Sequence, residues 1–183
     1  MVFLFKQRKR TREFCKFVCC SNRHSFHDFI EQLKTLTHTL QAFQFPETAK
    51  ILHKLRKEHM LFEGTPFGFC FFSNLHGQSS IEAHTSPMNL RLRIHLPLSV
   101  PDASENEQGE PDCAIRVGSM TRTWTQDKAM VLDDSYNHQV WNRTDDTRLL
   151  LLVDIWHPDV TLAEKKNIVE MFQEARQQGM WKR

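Results

Sequence analysis

Five side chains in two stretches of this 183-residue chain have the makings of a metal site beside a carboxylate grip. In Val131–Pro158, VLDDSYNHQVWNRTDDTRLLLLVDIWHP, His138 precedes Arg148 by ten residues, and the arginine stands at the mouth of a long apolar strand. In Glu82–Leu98, EAHTSPMNLRLRIHLPL, His84 is followed by Arg93 and His95. Neutral imidazoles from two separate elements are good ligands for ferrous iron, and an oxygenase site must leave coordination positions open. A planar guanidinium holds a carboxylate through two charge-assisted hydrogen bonds. The usual ferrous oxygenase site adds a carboxylate, commonly two residues after the first histidine, and here Ser86 stands there. Spacing alone therefore leaves the metal reading open.

Most of the ten histidines need no such role. His24, His27, His38, His53 and His59 fall on polar helix faces or connections, His76 in a turn-like NLHG, and His157 reads as a structural cap after the last strand. Asp133 and Asp134 invite a ligand assignment, but a strand-ending turn that positions His138 is the better reading. Trp124, Tyr136, Trp141 and Trp156 read as core packing.

The elements that must position these groups follow from periodicity. Ser25–Gln41 has a helical stripe of Phe26, Phe29, Ile30, Leu33, Leu36 and Leu40. Pro46 near a first turn starts a second helix with Ala49, Ile51, Leu52 and Leu55 behind it. From Gly68 the period changes to two. In Asn89–Leu98, Leu90, Leu92, Ile94, Leu96 and Leu98 face one way, and Arg91, Arg93, His95 and Pro97 the other. That polar face suits either solvent or a cavity lining. Val100–Asp112 is acidic, apolar-poor and bracketed by prolines, a loop. Cys113–Val117, Thr121–Trp124, Ala129–Leu132, Gln139–Trp141 and Arg148–Trp156 are short strands at close spacing. Thr161–Gln178 is a helix opened by a Thr161/Glu164 capping box and ended by Gly179.

Twenty-four Lys+Arg against 22 Asp+Glu leave a net charge of +2, which argues against a bulk polyanion such as nucleic acid as partner. The local exception is Lys6, Arg8, Lys9, Arg10, Arg12 and Lys16. No apolar stretch approaches the ~20 residues of a membrane span, and the N-terminus lacks a secretory pattern. A cytoplasmic domain is expected, with weak membrane association through the basic segment conceivable. The five cysteines, Cys15, Cys19, Cys20, Cys70 and Cys113, have no disulfide-framework spacing and read as reduced thiols. Cys15, Cys19 and Cys20 beside the basic run also suit reversible S-acylation. The expected organisation is a basic, Cys-containing segment over 1–22 and a single domain over 23–183.

Several words in order resemble the aspartyl/asparaginyl β-hydroxylase family of iron- and 2-oxoglutarate-dependent oxygenases. They are His84-Thr85-Ser86-Pro87 with Asn89, Arg91-Leu92-Arg93-Ile94-His95-Leu96, Cys113-x-Ile115-Arg116, and the isolated Trp124. Asp133-Asp134-Ser135-Tyr136-x-His138-x-Val140-Trp141 and Arg148 through Val153-Asp154-x-Trp156-His157-Pro158 complete the set. The likeness covers about residues 68–160, with a weaker match at Phe45-Pro46-Glu47-Thr48. It implies a mainly β fold, a double-stranded β-helix (jelly roll, cupin-like) with N-terminal helices and a C-terminal helix packed outside, and a barrel core over about 68–160.

Animal members of the family are similar in having glycine at the slot of Ser86 and in binding iron through two histidines, with water completing the shell. The resemblance thus implies Fe(II) held by His84 and His138 without a protein acid. Serine is a departure whose hydroxyl can bond a metal-bound water or crowd that position. The resemblance also implies that Arg148, assisted by Ser73, pairs with the distal carboxylate of 2-oxoglutarate, while Arg93 and His95 meet its other end. It turns the Arg91-x-Arg93-x-His95 face inward. The implied activity is hydroxylation of a C–H bond in a peptide, protein or amino-acid substrate. A catalytically silent jelly roll that binds a ligand is the competing class, kept open by Ser86.

Overall fold

Strand β9, Arg148–Trp156, organises the molecule. Its run of leucines and valine is apolar on both faces, as suits the inside of a sheet, and seven of its nine residues are buried. The computed structural model describes residues 2–3, 46–102 and 104–180. The expected helix over Ser25–Gln41 and residues 4–22 of the basic, Cys-containing N-terminal segment lie outside them.

The strands are β1 (Val2–Phe3), β2 (Cys70–Leu75), β3 (Ser79–His84), β4 (Arg91–Ser99), β5 (Cys113–Val117), β6 (Met120–Arg122), β7 (Met130–Leu132), β8 (His138–Asn142) and β9. One sheet has the order β1-β7-β4-β9-β2 and the other β3-β8-β5-β6. Apart from the parallel β1–β7 pair, every ladder is antiparallel. Leu75, Leu132, Leu150 and Leu152 of the first sheet share one core with Cys113, Ile115 and Val140 of the second. Two sheets closed over one core form the expected mainly β jelly roll.

Register carries the polar residues into that core. Arg93 pairs with Asp154, His95 with Leu152 and Pro97 with Leu150 across β4–β9, so the face of Arg91, Arg93, His95 and Pro97 is the one shared with the core leucines. Arg91 and His95 are buried, while Ile94, Leu96 and Leu98 on the opposite face are only half-buried. The inward reading of this strand holds, and the opposite face is also covered in part, Leu92 being buried.

Strand β6 starts one residue before its expected position, because Gly118 and Ser119 make a two-residue hairpin between paired Val117 and Met120. Gly118 has φ +57, which such a loop requires at its first position. Gly77, in the β2–β3 turn, leaves no room for a Cβ, which would sit 2.5 Å from the Asp145 carbonyl oxygen. The 100–112 loop folds around Asn106, whose Oδ1 accepts from the N–H groups of Gln108 and Glu110. Glu110 then accepts from Arg116 at 2.7 Å and from Arg143 at 3.1 Å.

The helices α1 (Pro46–Lys57) and α2 (Leu162–Gln177) belong to a second unit. Both end in the same 6→1 and 5→2 hydrogen-bond pair around a left-handed residue, His59 after α1 and Gly179 after α2. Neither is long and apolar enough to cross a membrane.

Candidate functional site

His84 ends β3 and His138 opens β8, and the ladder sets them opposite one another with ring centroids 4.2 Å apart. Each Nδ1 lies against a carbonyl two residues back: His84 on Glu82 at 2.7 Å, His138 on Tyr136 at 2.8 Å. A carbonyl only accepts, so each Nδ1 carries a proton, and the neutral form of each ring then has its lone pair on Nε2. That is the outer hydrogen bond by which a metal-ligating histidine is usually oriented. Burial, then the neighbouring His84, lowers the His138 pKa to about 4, so its imidazole is neutral at pH 7. Among the described residues no third His, Cys, Asp or Glu completes a three-ligand group with them.

The slot two residues after His84 is tied down by other means. Ser86 donates its N–H to the Asp134 carbonyl at 2.7 Å, and its hydroxyl oxygen accepts from Arg91 Nη2 at 3.2 Å. The same Arg91 nitrogen donates to Asp134 Oδ2 at 2.8 Å, while Arg91 Nη1 pairs with Asp154. Arg93 closes the cluster. It holds Asp154 through Nε at 2.7 Å and Nη2 at 3.0 Å, and its Nη1 lies 3.2 Å from Asp134 Oδ2. Burial works against the Arg93 charge, yet Asp154 and Asp134 together raise its pKa. Two arginines and two aspartates balance in charge in a place where an unpaired ion would cost several kcal/mol.

Asp133 and Asp134 divide between them what the sequence suggests for both. Asp133 makes the turn, its Oδ1 accepting from the Ser135 N–H at 2.9 Å. Asp134 is instead a buried member of the ion cluster, and its Oδ1 has no hydrogen-bond partner. Asp154 is the second acid that sequence reasoning passed over. A lone carboxylate inside a leucine-rich strand was its available signal, since a buried charge demands a partner.

Arg148 stands apart from this balance. It is 1% exposed, donates from Nη2 to Ser73 Oγ at 3.0 Å, and lies 4.8 Å over the Trp124 ring. Among the described residues no carboxylate pairs with it, and its Nε is buried without a partner. Burial lowers its pKa to about 10. A shift of that size corresponds to roughly 3 kcal/mol against the charged form. His95, 5% exposed, neighbours the same tryptophan and accepts the Trp124 Nε1–H on Nδ1 at 3.2 Å. A cleft of about 380 Å³ over β3 and β8 is lined by none of these candidate residues.

The structure thus joins His84 with His138, Ser73 with Arg148, and His95 with Arg148 through Trp124. Arg93 faces the protein's own aspartates. The donor set fits a divalent metal and an anion: two oriented imidazoles with free lone pairs, and a buried cation with no acid of its own.

A mouse protein named aspartyl/asparaginyl beta-hydroxylase is 33% identical over 123 residues, covering 67% of this chain and 15% of that protein. Ornithine lipid ester-linked acyl 2-hydroxylase of Rhizobium tropici is 39% identical over 87 residues, covering 48% of this chain and 29% of that one. The chain spans less than a third of the length of either relative. Among solved structures, the Schizosaccharomyces pombe Cnp3 cupin domain aligns over 66% of this chain and 68% of that one, with a TM-score of 0.39 and 10% identity. The family profile for aspartyl/asparaginyl beta-hydroxylase matches residues 22–158, which include every residue of the site described above, and the chain therefore belongs to the aspartyl/asparaginyl β-hydroxylase family.

Proposed function

We propose that this protein is an Fe(II)- and 2-oxoglutarate-dependent dioxygenase that hydroxylates a C–H bond, its substrate an aspartyl or asparaginyl side chain in a peptide or a related amino acid. The observation that carries the reading is Arg148, a fully buried guanidinium with an unpartnered Nε and no carboxylate of its own. A dicarboxylate co-substrate supplies the missing negative charge. Ser73 fixes one edge of the guanidinium and leaves the rest to the ligand. His84 and His138 would hold the metal through Nε2, and His95 would orient the end of the co-substrate nearer to it, Arg93 being engaged by Asp154 and Asp134. When bound, iron and 2-oxoglutarate supply dioxygen activation, with oxidation of 2-oxoglutarate to succinate and carbon dioxide balancing the two-electron oxidation of C–H to C–OH. The protein's share is orientation of the bound groups.

The test is succinate release from 2-oxoglutarate by the full chain with added ferrous iron, with and without candidate peptides. Wild-type protein should turn over and Arg148→Ala should not, while both keep the same far-ultraviolet circular dichroism. Succinate formation by Arg148→Ala at the parent rate would sink the assignment. The Rhizobium relative's name favours a second substrate class, an acyl chain on an amino-acid lipid. Mass spectrometry separates the two readings by which product gains one oxygen, the peptide or the acyl chain.

A further inference from the structure

We propose that Trp124 is a positioning residue that sets both anion-facing groups at once, its indole N–H fixing the proton of His95 on Nε2 and its ring face seating the Arg148 guanidinium. The inference rests on the co-substrate reading for its functional consequence, though its structural half stands alone. Trp124 is 4% exposed and contacts both groups. Its Nε1 is 3.2 Å from His95 Nδ1, with the two rings 6.1 Å apart and 25° from parallel. The Arg148 Cζ stands 4.8 Å from the ring centroid.

The chemistry of the indole makes this directional. Its N–H donates and never accepts, so the His95 nitrogen it meets must be the bare one. A neutral imidazole with a bare Nδ1 carries its proton on Nε2, which makes the remaining nitrogen a donor. Donation suits the oxygen of a keto acid; a lone pair there would repel it. His95 is also buried among positive neighbours, Arg93 and Arg148, which keeps the ring neutral. The cation–π seat complements this, because the guanidinium has no acid to hold it and the ring's negative face is what remains. One side chain thus preorganises the donor at one end of the anion and the cation at the other.

The substitution Trp124→Phe keeps a ring face and removes the donor. In 15N-histidine-labelled wild-type protein, the His95 signals (identified by their loss in His95→Asn) should show an unprotonated Nδ1 and a protonated Nε2. In Trp124→Phe the His95 Nδ1 shift should move toward the protonated value. The dissociation constant for 2-oxoglutarate in the presence of Mn(II) should rise by about tenfold, the order expected for one lost buried hydrogen bond and a misplaced donor. Trp124→Leu, which loses the ring face as well, should weaken binding further.

A wild-type His95 with its proton on Nδ1 overturns the proposal whether or not any variant folds. An unchanged His95 shift and an unchanged dissociation constant in Trp124→Phe overturn it equally. If wild-type protein fails to bind 2-oxoglutarate, the co-substrate reading falls, and the nitrogen shifts still decide the role of Trp124.

Discussion

Arg148 donates to Ser73 Oγ at 3.0 Å between adjacent strands β9 and β2, and that hydroxyl is the sole side-chain oxygen bonded to it among the described residues. A buried cation in such a setting is poorly compensated. Replacing it with methionine, of similar length, should therefore stabilise the unliganded protein by about 1–3 kcal/mol, within the range seen when buried ions are replaced by apolar side chains. The same substitution should abolish binding of 2-oxoglutarate. Urea denaturation with and without the ligand checks both halves. A destabilised Arg148→Met protein would mean that the guanidinium is structural and not reserved for an anion.

Asp154 behaves in the opposite sense. It serves Arg91, the Nε–Nη2 edge of Arg93 and the Phe69 N–H, which lies 3.1 Å from its Oδ2. Removing it leaves the buried Arg91 and the largely covered Arg93 with Asp134 as their remaining acid. Asp154→Ala should cost about 3–5 kcal/mol, the usual toll for breaking a buried pair from one side. Asp159→Ala, at an exposed position, should cost less than about 0.5 kcal/mol. Equal midpoints in urea for Asp154→Ala and the parent would contradict the cluster's role in holding β4 to β9.

How far the site could be read from the chain depends on how far apart its partners lie. Alternation in Arg91–Leu98 announces a strand with two different faces, and the register against β9 then decides which face is inside. Periodicity alone leaves that choice open, because an arginine-rich face is stable in water and equally stable against Asp154 and Asp134. The proton positions of His84 and His138 depend on carbonyls two residues away, yet strand geometry rather than sequence spacing brings those carbonyls to Nδ1. Asp134 meets Arg91 across 43 positions and Trp124 meets His95 across 29, so no local pattern foretells either contact. Trp124 read as core packing by its size, and only its two flanking partners reveal a second use.

The two-histidine site makes a prediction about Ser86. Arg91 Nη2 already lies 3.2 Å from the serine hydroxyl, so a carboxylate introduced there meets a guanidinium first. Ser86→Asp should bind Co(II) no more tightly than the parent, within about threefold by calorimetry, and Ser86→Ala should also stay within that range. His84→Ala and His138→Ala should each lose measurable binding. A tenfold gain for Ser86→Asp, with a changed cobalt visible spectrum, would show that the acid reaches the metal and that Arg91 does not hold it away.

His95 supplies a pH dependence whose sign can be fixed. Burial first, then the charges of Arg93 and Arg148, holds its folded pKa well below the ordinary 6.5. In the unfolded chain the imidazole takes a proton as the pH falls through about 6.5, and in the folded protein it does not. The unfolded state therefore binds more protons in that window, and stability falls as the pH falls. A histidine held neutral in the fold while its unfolded counterpart takes a proton lowers stability progressively across that window. His138, lowered to about 4, acts in the same direction, so the parent protein should lose more than His95 alone dictates. The difference between parent and His95→Asn isolates the one residue: an asparagine oxygen still accepts the Trp124 N–H but does not titrate. Guanidinium unfolding at pH 7, 6 and 5 should show the variant's stability falling less steeply than the parent's. Parallel slopes would mean that His95 protonates freely in the fold, and the bare Nδ1 that accepts the Trp124 N–H would then be lost below pH 6.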